Sequence, residues 1–539
     1  MKRSKDYDVI IVGGGHNGLV AGGYLAGAGL QVVVIERLER LGGPGARIEF
    51  IPGFWTSVSN SPGSLEPQIV RDLELERFGL RFVKPDPTLV HPLNGGRLFL
   101  ARRDKESTAR QLEAFAAGES RRYDALFSYL GDFARRLGIS IFREPPSLRE
   151  LVRNLSAPED DEAFARVFFG SAQELLDLFL TTEEAKAIVG MLASVSGPGS
   201  AGIPGTVMNL MMRPLSLAET GDEAGYDPRK LPLRGSTGLP LNGMGAVIEA
   251  MARSFQARGG TIQRACEAAA LLCDVDRVKG VATVDGREFR APIVISAISP
   301  QRAVMDLAPS NGAWLRYKEL MAAKHFRGKA CKVVLALDGP PVWVGQPGDG
   351  EISPQALASA QFRIAPTTRY LDEAYAEVLL GRIPHRPVIW GLVPSMTSPD
   401  LAPAGCHIMS LNVGAPLELS GEDWSTGREL MVKRCVDALE PWMPGLAQQI
   451  VGYRCLAPSE FVDDFGLPGA EICHGHMLPG NQFWMRPLPG LHRYRTPTQG
   501  FYLSGAGTWP GNFFSGIPGH NASHAVLRDL ETGQVRLTS

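Results

Sequence analysis

An α/β fold, in which a parallel sheet flanked by helices carries an inserted region of mixed α+β structure, is what this sequence predicts, and three observations predict it. The chain opens on an apolar run, Asp8-Val9-Ile10-Ile11-Val12, that passes directly into Gly13-Gly14-Gly15-His16-Asn17-Gly18. A second apolar run, Val32-Val33-Val34-Ile35, ends on an acid, Glu36. Far along the chain, Gly500-Phe501-Tyr502-Leu503-Ser504-Gly505-Ala506-Gly507 again reads as a strand entering a glycine turn, and Gly516-Ile517-Pro518-Gly519 opens a last helix.

The first element is a strand, turn, helix and second strand with the spacing that binds an adenine dinucleotide in a Rossmann-type fold. Gly13 permits the tight turn, Gly15 lets a pyrophosphate approach the backbone, and Gly18 lets the helix pack closely on the sheet. The pyrophosphate is expected on the helix N-terminus beside His16 and Asn17, where free N–H groups favour negative charge. Glu36, with Arg37 next to it, stands where a carboxylate accepts hydrogen bonds from ribose hydroxyls, which argues against a 2′-phosphate. A second glycine turn follows at Arg40-Leu41-Gly42-Gly43-Pro44-Gly45-Ala46-Arg47.

From about residue 100 the texture becomes helical. Tyr123, Leu126, Phe127, Leu130, Phe133 and Leu137 fall at helix spacing and read as one core-facing stripe. The span from Ala187 to Met212 carries no charge and is broken by Pro198 and Pro204; it reads as a buried helix end and loop, or as an apolar wall for a lipophilic ligand. Near residue 235 the α/β pattern returns: a helix from Leu241 through Arg258, a strand at Thr261-Ile262, a hairpin around Asp285-Gly286, and a strand from Arg290 to Ala297. Gly243-Met244-Gly245 lacks a third spaced glycine, so no second nucleotide site is expected. Residues 301–490 alternate strands, such as Lys332 to Leu337, with helices, such as Gly427 to Leu439. The expected organisation is a discontinuous dinucleotide-binding domain, 1–75, 235–300 and 495–539, and a substrate domain with a helical part, 76–234 and 301–494.

With 539 residues, 44% of them hydrophobic, and a net charge of −2, the chain has room for more than one core and no basic signature for nucleic acid. Its seven cysteines show no C-x-x-C spacing, so reduced thiols and a cytoplasmic setting are expected, without disulfide-reductase chemistry. No signal peptide and no apolar run of membrane-spanning length is read; peripheral membrane contact would suit a lipophilic substrate. Nothing in the sequence fixes the oligomeric state.

The combination of the N-terminal glycine motif with Pro52-Gly53-Phe54, Leu65-Glu66-Pro67-Gln68-Ile69, His474-Gly475, Arg486-Pro487 and the tail from Tyr502 to Ala522 resembles the phytoene desaturase family of FAD-dependent oxidoreductases. Its closer likeness is to the branch holding the pyridine nucleotide-disulfide oxidoreductase domain-containing protein 2 group and the desaturase-like β-carotene ketolases. The resemblance implies a Rossmann-type FAD-binding domain of the flavin amine oxidase and phytoene desaturase kind, with non-covalent FAD. It places Gly13, Gly15, Asn17 and Gly18 on the pyrophosphate and Glu36 on the ribose. It further places Gly42, Gly43 and Arg47 near the phosphates and ribityl chain, Ala268 at adenine, and Gly505, Ala506, Gly516 and Ile517 against the ribityl and isoalloxazine.

Relatives commonly carry His-Pro-Gly-Gly-Gly where this chain has Trp509-Pro510-Gly511-Asn512-Phe513-Phe514. Trp509, Phe513 and Phe514 are therefore expected either to shape the substrate pocket or to pack inward. His474, His476 and Arg486 are the candidate polar groups for catalysis. No third ligand stands near the two histidines, so no metal is expected. The leading expectation is an FAD-dependent dehydrogenase or desaturase acting on a largely apolar small molecule by hydride transfer to flavin N5. A flavin amine oxidase, a carotenoid ketolase or isomerase, and a non-enzymatic protein stabilised by FAD are the rivals.

Overall fold

The computed structural model describes residues 7–60, 65–194, 197, 199–220, 238–421, 423–511 and 514–537. Strands β1 (Val9–Val12), β2 (Val32–Ile35), β3 (Thr261–Gln263), β4 (Ile293–Ser296) and β5 (Phe501–Leu503) form one parallel sheet in the order β5-β4-β1-β2-β3. Every residue of β1, β2, β4 and β5 is buried, which is why these runs are continuously apolar instead of alternating.

Both faces of the sheet are covered. Val9 and Ile11 pack into a core shared with helices α1 (His16–Gly27), α2 (Met244–Ala257) and α3 (Ile517–Glu531), whereas Ile10 and Val12 pack toward Leu271, Val278 and Val281. The latter residues belong to a three-stranded antiparallel sheet, Ala268–Asp274, Arg277–Thr283 and Glu288–Arg290. Here the structure corrects one expectation. The single strand read from Arg290 to Ala297 divides in two, because Pro292 has no N–H to continue a ladder, and its halves join different sheets.

Glycine is required where backbones meet. A Cβ on Gly18 would lie 2.0 Å from the carbonyl oxygen of Gly13, and one on Gly519 would lie 2.3 Å from that of Asn17. The first closes α1 onto its strand, and the second lets α3 lie backbone to backbone against α1.

The inserted region holds an eight-stranded mixed sheet in the order Gln346–Pro347, Arg97–Ala101, Leu89–Leu93, Gln361–Ile364, Ile389–Leu392, His407–Gly414, Ala330–Leu337 and Ile450–Leu456. A helical layer over residues 105–220 adjoins it. Its longest helix, Glu119–Leu137, is bounded at both ends by left-handed glycines, Gly118 and Gly138, and buries Tyr123, Leu126, Leu130, Phe133 and Leu137 of the stripe read from the sequence, but Phe127 is half-buried and, with Tyr123, faces the cavity described below instead of belonging only to the core. Among the described residues no helix is long and apolar enough to cross a membrane, and no cluster of metal-ligating side chains occurs.

Candidate active site

The glycine turn between β1 and α1 opens onto a continuous cavity of about 1220 Å³, larger than the roughly 300–1,000 Å³ of an ordinary small-ligand pocket. Its wall begins at Gly13, Gly15, His16, Asn17, Glu36, Arg37, Gly42 and Gly43, passes Ala268, Ala506 and Phe514, and continues into an aromatic lobe. That lobe is lined by the rings of Tyr123, Phe127, Tyr375 and Trp390. The uncharged stretch after Ala187 contributes Leu192, Asn209, Leu210 and Met212 to the same wall.

At the turn, Gly15 is the N-cap of α1 in extended conformation with no side-chain capping bond, leaving the first helical N–H groups without intrahelical partners. A Cβ on Gly15 would meet no atom within 4 Å, and one on Gly43 would meet none either. The space they leave is open to a ligand. Glu36 holds the turn in shape: Gly14 N–H donates to its Oε2 at 2.8 Å and Leu38 N–H to its Oε1 at 2.9 Å. Each carboxylate oxygen keeps a second lone pair for a ribose hydroxyl. Gly42 N–H donates to the Gly14 carbonyl at 2.9 Å, joining the two glycine turns.

Several residues singled out in the sequence lie elsewhere. Arg47 is exposed, with its guanidinium 5.0 Å over the Trp55 ring and away from the cavity wall. Arg37 reaches the wall, but its Nη2 donates to the carbonyls of Asp463 and Asp464 at 3.3 and 2.7 Å. Gly18, Gly505, Gly516 and Ile517 are not among the residues that line the cavity. Trp509 is a correction to the pocket expectation: it is fully buried, its ring lies tilted against Phe483 with centroids 4.8 Å apart, and its carbonyl accepts from Tyr494 Oη at 2.9 Å. Phe514 does line the cavity, stacked on His16 at 4.1 Å. Phe513 lies outside the described residues.

Of the three candidate catalytic groups, only His474 is on the wall. Its Nδ1 is buried without a hydrogen-bond partner. Burial, then the charges of Arg486 and His16, pulls it down to about 3, so the ring is neutral at physiological pH and is no base poised near 7. His476 is absorbed into its own loop, where its carbonyl accepts from Asn481 Nδ2 at 2.8 Å; burial and the Arg486 charge hold it near 4. Arg486 is fully buried and spends its N–H groups on the carbonyls of Cys473, Gly475, His476, Asn481, Ala506 and Thr508. It fastens the 473–486 loop to the β5 turn and has nothing left for a ligand.

Three charged groups of the cavity region had no local signature. Lys332 is fully buried, its Nζ donating to Val58 O at 2.9 Å, Asn60 Oδ1 at 2.6 Å and Asn412 Oδ1 at 2.8 Å; burial lowers it well below the usual lysine range. Lys329 donates to the carbonyls of Ser194 and Gly197, both at 3.1 Å, and burial brings it to about 8. Glu471, also on the wall, is raised by burial to about 7.

The Glu471 shift predicts a pH dependence. A carboxyl whose folded pKa is raised binds its proton more tightly when folded, so the stability it lends is complete below about 4.5 and is lost as pH rises through about 7. Across that window the unfolding midpoint of Glu471→Gln should rise relative to wild type, by the equivalent of about 3 kcal/mol. Parallel midpoint profiles from pH 5 to 8 would show the shift to be absent.

The fold and the cavity define a dinucleotide-dependent redox protein, and comparison with known proteins specifies which. Residues 18–385 match the family described as flavin containing amine oxidoreductase, and the chain belongs to that family. It is an FAD-dependent oxidoreductase. It is similar to pyridine nucleotide-disulfide oxidoreductase domain-containing protein 2 of Rattus norvegicus, at 29% identity covering 98% of this chain and 94% of the relative. It is 27% identical to a lycopene-forming phytoene desaturase of Pseudescherichia vulneris, over 54% of this chain and 55% of that one. Among solved structures, cyclohexylamine oxidase from Brevibacterium oxydans superposes with a TM-score of 0.57 at 15% identity, covering 98% of this chain and 100% of the other, a likeness of fold.

Proposed function

We propose that the enzyme is of the phytoene desaturase-like type, oxidising a largely apolar organic molecule held in the aromatic lobe. The observation that carries this reading is the continuity of the cavity from the glycine turns to Tyr123, Phe127, Tyr375 and Trp390. When bound, FAD supplies the acceptor for the electron pair and hydrogen of a substrate C–H bond. The open cradle at Gly15 and Gly43, the α1 N-terminus and Glu36 fit that group and would hold its pyrophosphate and ribose.

The chain's own groups bind and orient. His474, neutral at physiological pH, offers one hydrogen bond to whatever adjoins Ala506 and Phe514. Lys332 fixes Val58 and Asn60 so that the segment after the second glycine turn stays against the large sheet. The aromatic lobe excludes water from an apolar substrate. His474 is held neutral by burial, which suits a substrate whose proton leaves without a base. The 27% identity to a phytoene desaturase supports the same reading.

The test is an absorbance spectrum of the purified protein, followed by anaerobic addition of polyenes, amines and NAD(P)H. We expect an oxidised-flavin band that an apolar organic compound bleaches. Bleaching by NAD(P)H alone would replace this reading with that of a reductase or isomerase, and a flavin that no compound reduces would favour a structural role for FAD.

A further inference from the structure

In the large sheet, Lys332 is paired with Asn412, Asn412 with Trp390, and Trp390 with Arg363. Directly paired residues share a sheet face, so these four form one row across four strands. Three strand spacings separate its ends, about 14 Å. At one end Lys332 is fully satisfied by three oxygens. At the other end Arg363 is not.

Arg363 lines the cavity with its guanidinium 4.0 Å over the Trp390 ring. Its Nη1 is buried with no hydrogen-bond partner, and no hydrogen bond or ion pair among the described residues uses its side chain. Arg213 lines the same cavity and adds positive charge. Burial and Arg213 bring Arg363 down to about 9, so it remains a cation at neutral pH. The acids of the nearby wall are already engaged: Asp124 with Lys105 and Asp132 with Arg135. An unpaired buried charge costs several kcal/mol unless a ligand supplies the counterion.

We propose that Arg363 is the anion-recognition residue of this cavity and that the substrate is a carboxylic acid with a long apolar body. A flat guanidinium fork matches a carboxylate two bonds at a time, and a single bare fork among aromatic rings suits a monoanion better than a phosphate, which calls for more donors. The apolar body would lie over Trp390 toward Asn60 and the glycine turns. An ammonium group would be repelled by the same lobe, which sets this substrate apart from an amine. The inference rests on the reading of the aromatic lobe as the substrate site.

The probes are decanoate, decanol, decylamine and decyl phosphate, titrated by calorimetry into the flavin-loaded full-length protein. Decanoate should bind at least roughly ten-fold more tightly than decanol, and decylamine should not compete. Arg363→Met should weaken decanoate by about ten- to a hundred-fold and leave decanol unchanged, with Arg363→Lys between the two. Equal binding of decanoate and decanol, or an undiminished Arg363→Met variant, would overturn the proposal, and binding of decyl phosphate without decanoate would overturn the carboxylate assignment. A fall of more than about 5 °C in the Arg363→Met unfolding midpoint would make the residue structural and overturn it as well. Decanoate bound through Arg363 by a protein whose flavin no organic compound reduces would refute the oxidation reading alone. A reducible flavin with no decanoate binding would refute the anion site alone.

Discussion

Arg486→Met is expected to yield little or no soluble protein, and any that folds should unfold at a much lower temperature than wild type. The guanidinium is fully buried and donates to six main-chain carbonyls drawn from residues 473–508. Methionine replaces its aliphatic stem and none of its donors, so six acceptors would be stranded in the core. Removing one side of a buried charged network costs about 3–5 kcal/mol, a large part of a typical total stability of about 5–15 kcal/mol. Arg486→Lys should rescue little, because an ammonium has three donors on a single atom and cannot reach carbonyls spread around a plane. Thermal unfolding and flavin content of the three proteins decide the matter. A methionine variant with a near-normal midpoint would show that the carbonyls find other partners.

Two glycines three residues apart should behave in opposite ways. Gly15→Val should give a folded protein that has lost its flavin, with the flavin-to-protein absorbance ratio down by at least roughly ten-fold. The extended backbone of Gly15, φ −72° and ψ 173°, suits valine, and no protein atom lies within 4 Å of the new Cβ; the added methyls occupy only the space in front of the α1 N-terminus. Gly18→Val should instead fail to fold, because its Cβ would sit 2.0 Å from the Gly13 carbonyl oxygen and α1 would have to leave the sheet. Overpacking of this kind costs about 3 kcal/mol or more. Circular dichroism beside the flavin spectrum separates the two results. A Gly15→Val protein that retains its flavin would place the pyrophosphate elsewhere.

The FAD fold was legible because its signals are local. Continuous apolar runs mark strands covered on both faces, and the spaced glycines with Glu36 fall within a stretch that forms one structural unit. The charged row across the large sheet was not legible, for a physical reason. Lys332, Asn412, Trp390 and Arg363 are solitary residues on four strands, and only strand register makes them a row. Arg486 and Trp509 show the converse. A buried arginine and a solvent-facing one look alike in sequence, and Trp509 turns inward against Phe483 and Tyr494. Arg47 sits beside a glycine turn yet lies over Trp55, whose strand, Phe54–Thr56, pairs with Ile48–Ile51 and draws the arginine outward.

The strand order of the parallel sheet has a consequence for biosynthesis. β1 (residues 9–12) is made well before one of its two neighbours, β4 (residues 293–296), and β5 and α3 follow only from residue 501 onward. Until then an apolar strand has an unpaired edge, and the face that α3 will cover is open to water, the state most prone to self-association. The nascent polypeptide is therefore expected to need shielding over that interval, and the part of the flavin crevice formed by Ala506 and Phe514 is added only after β5.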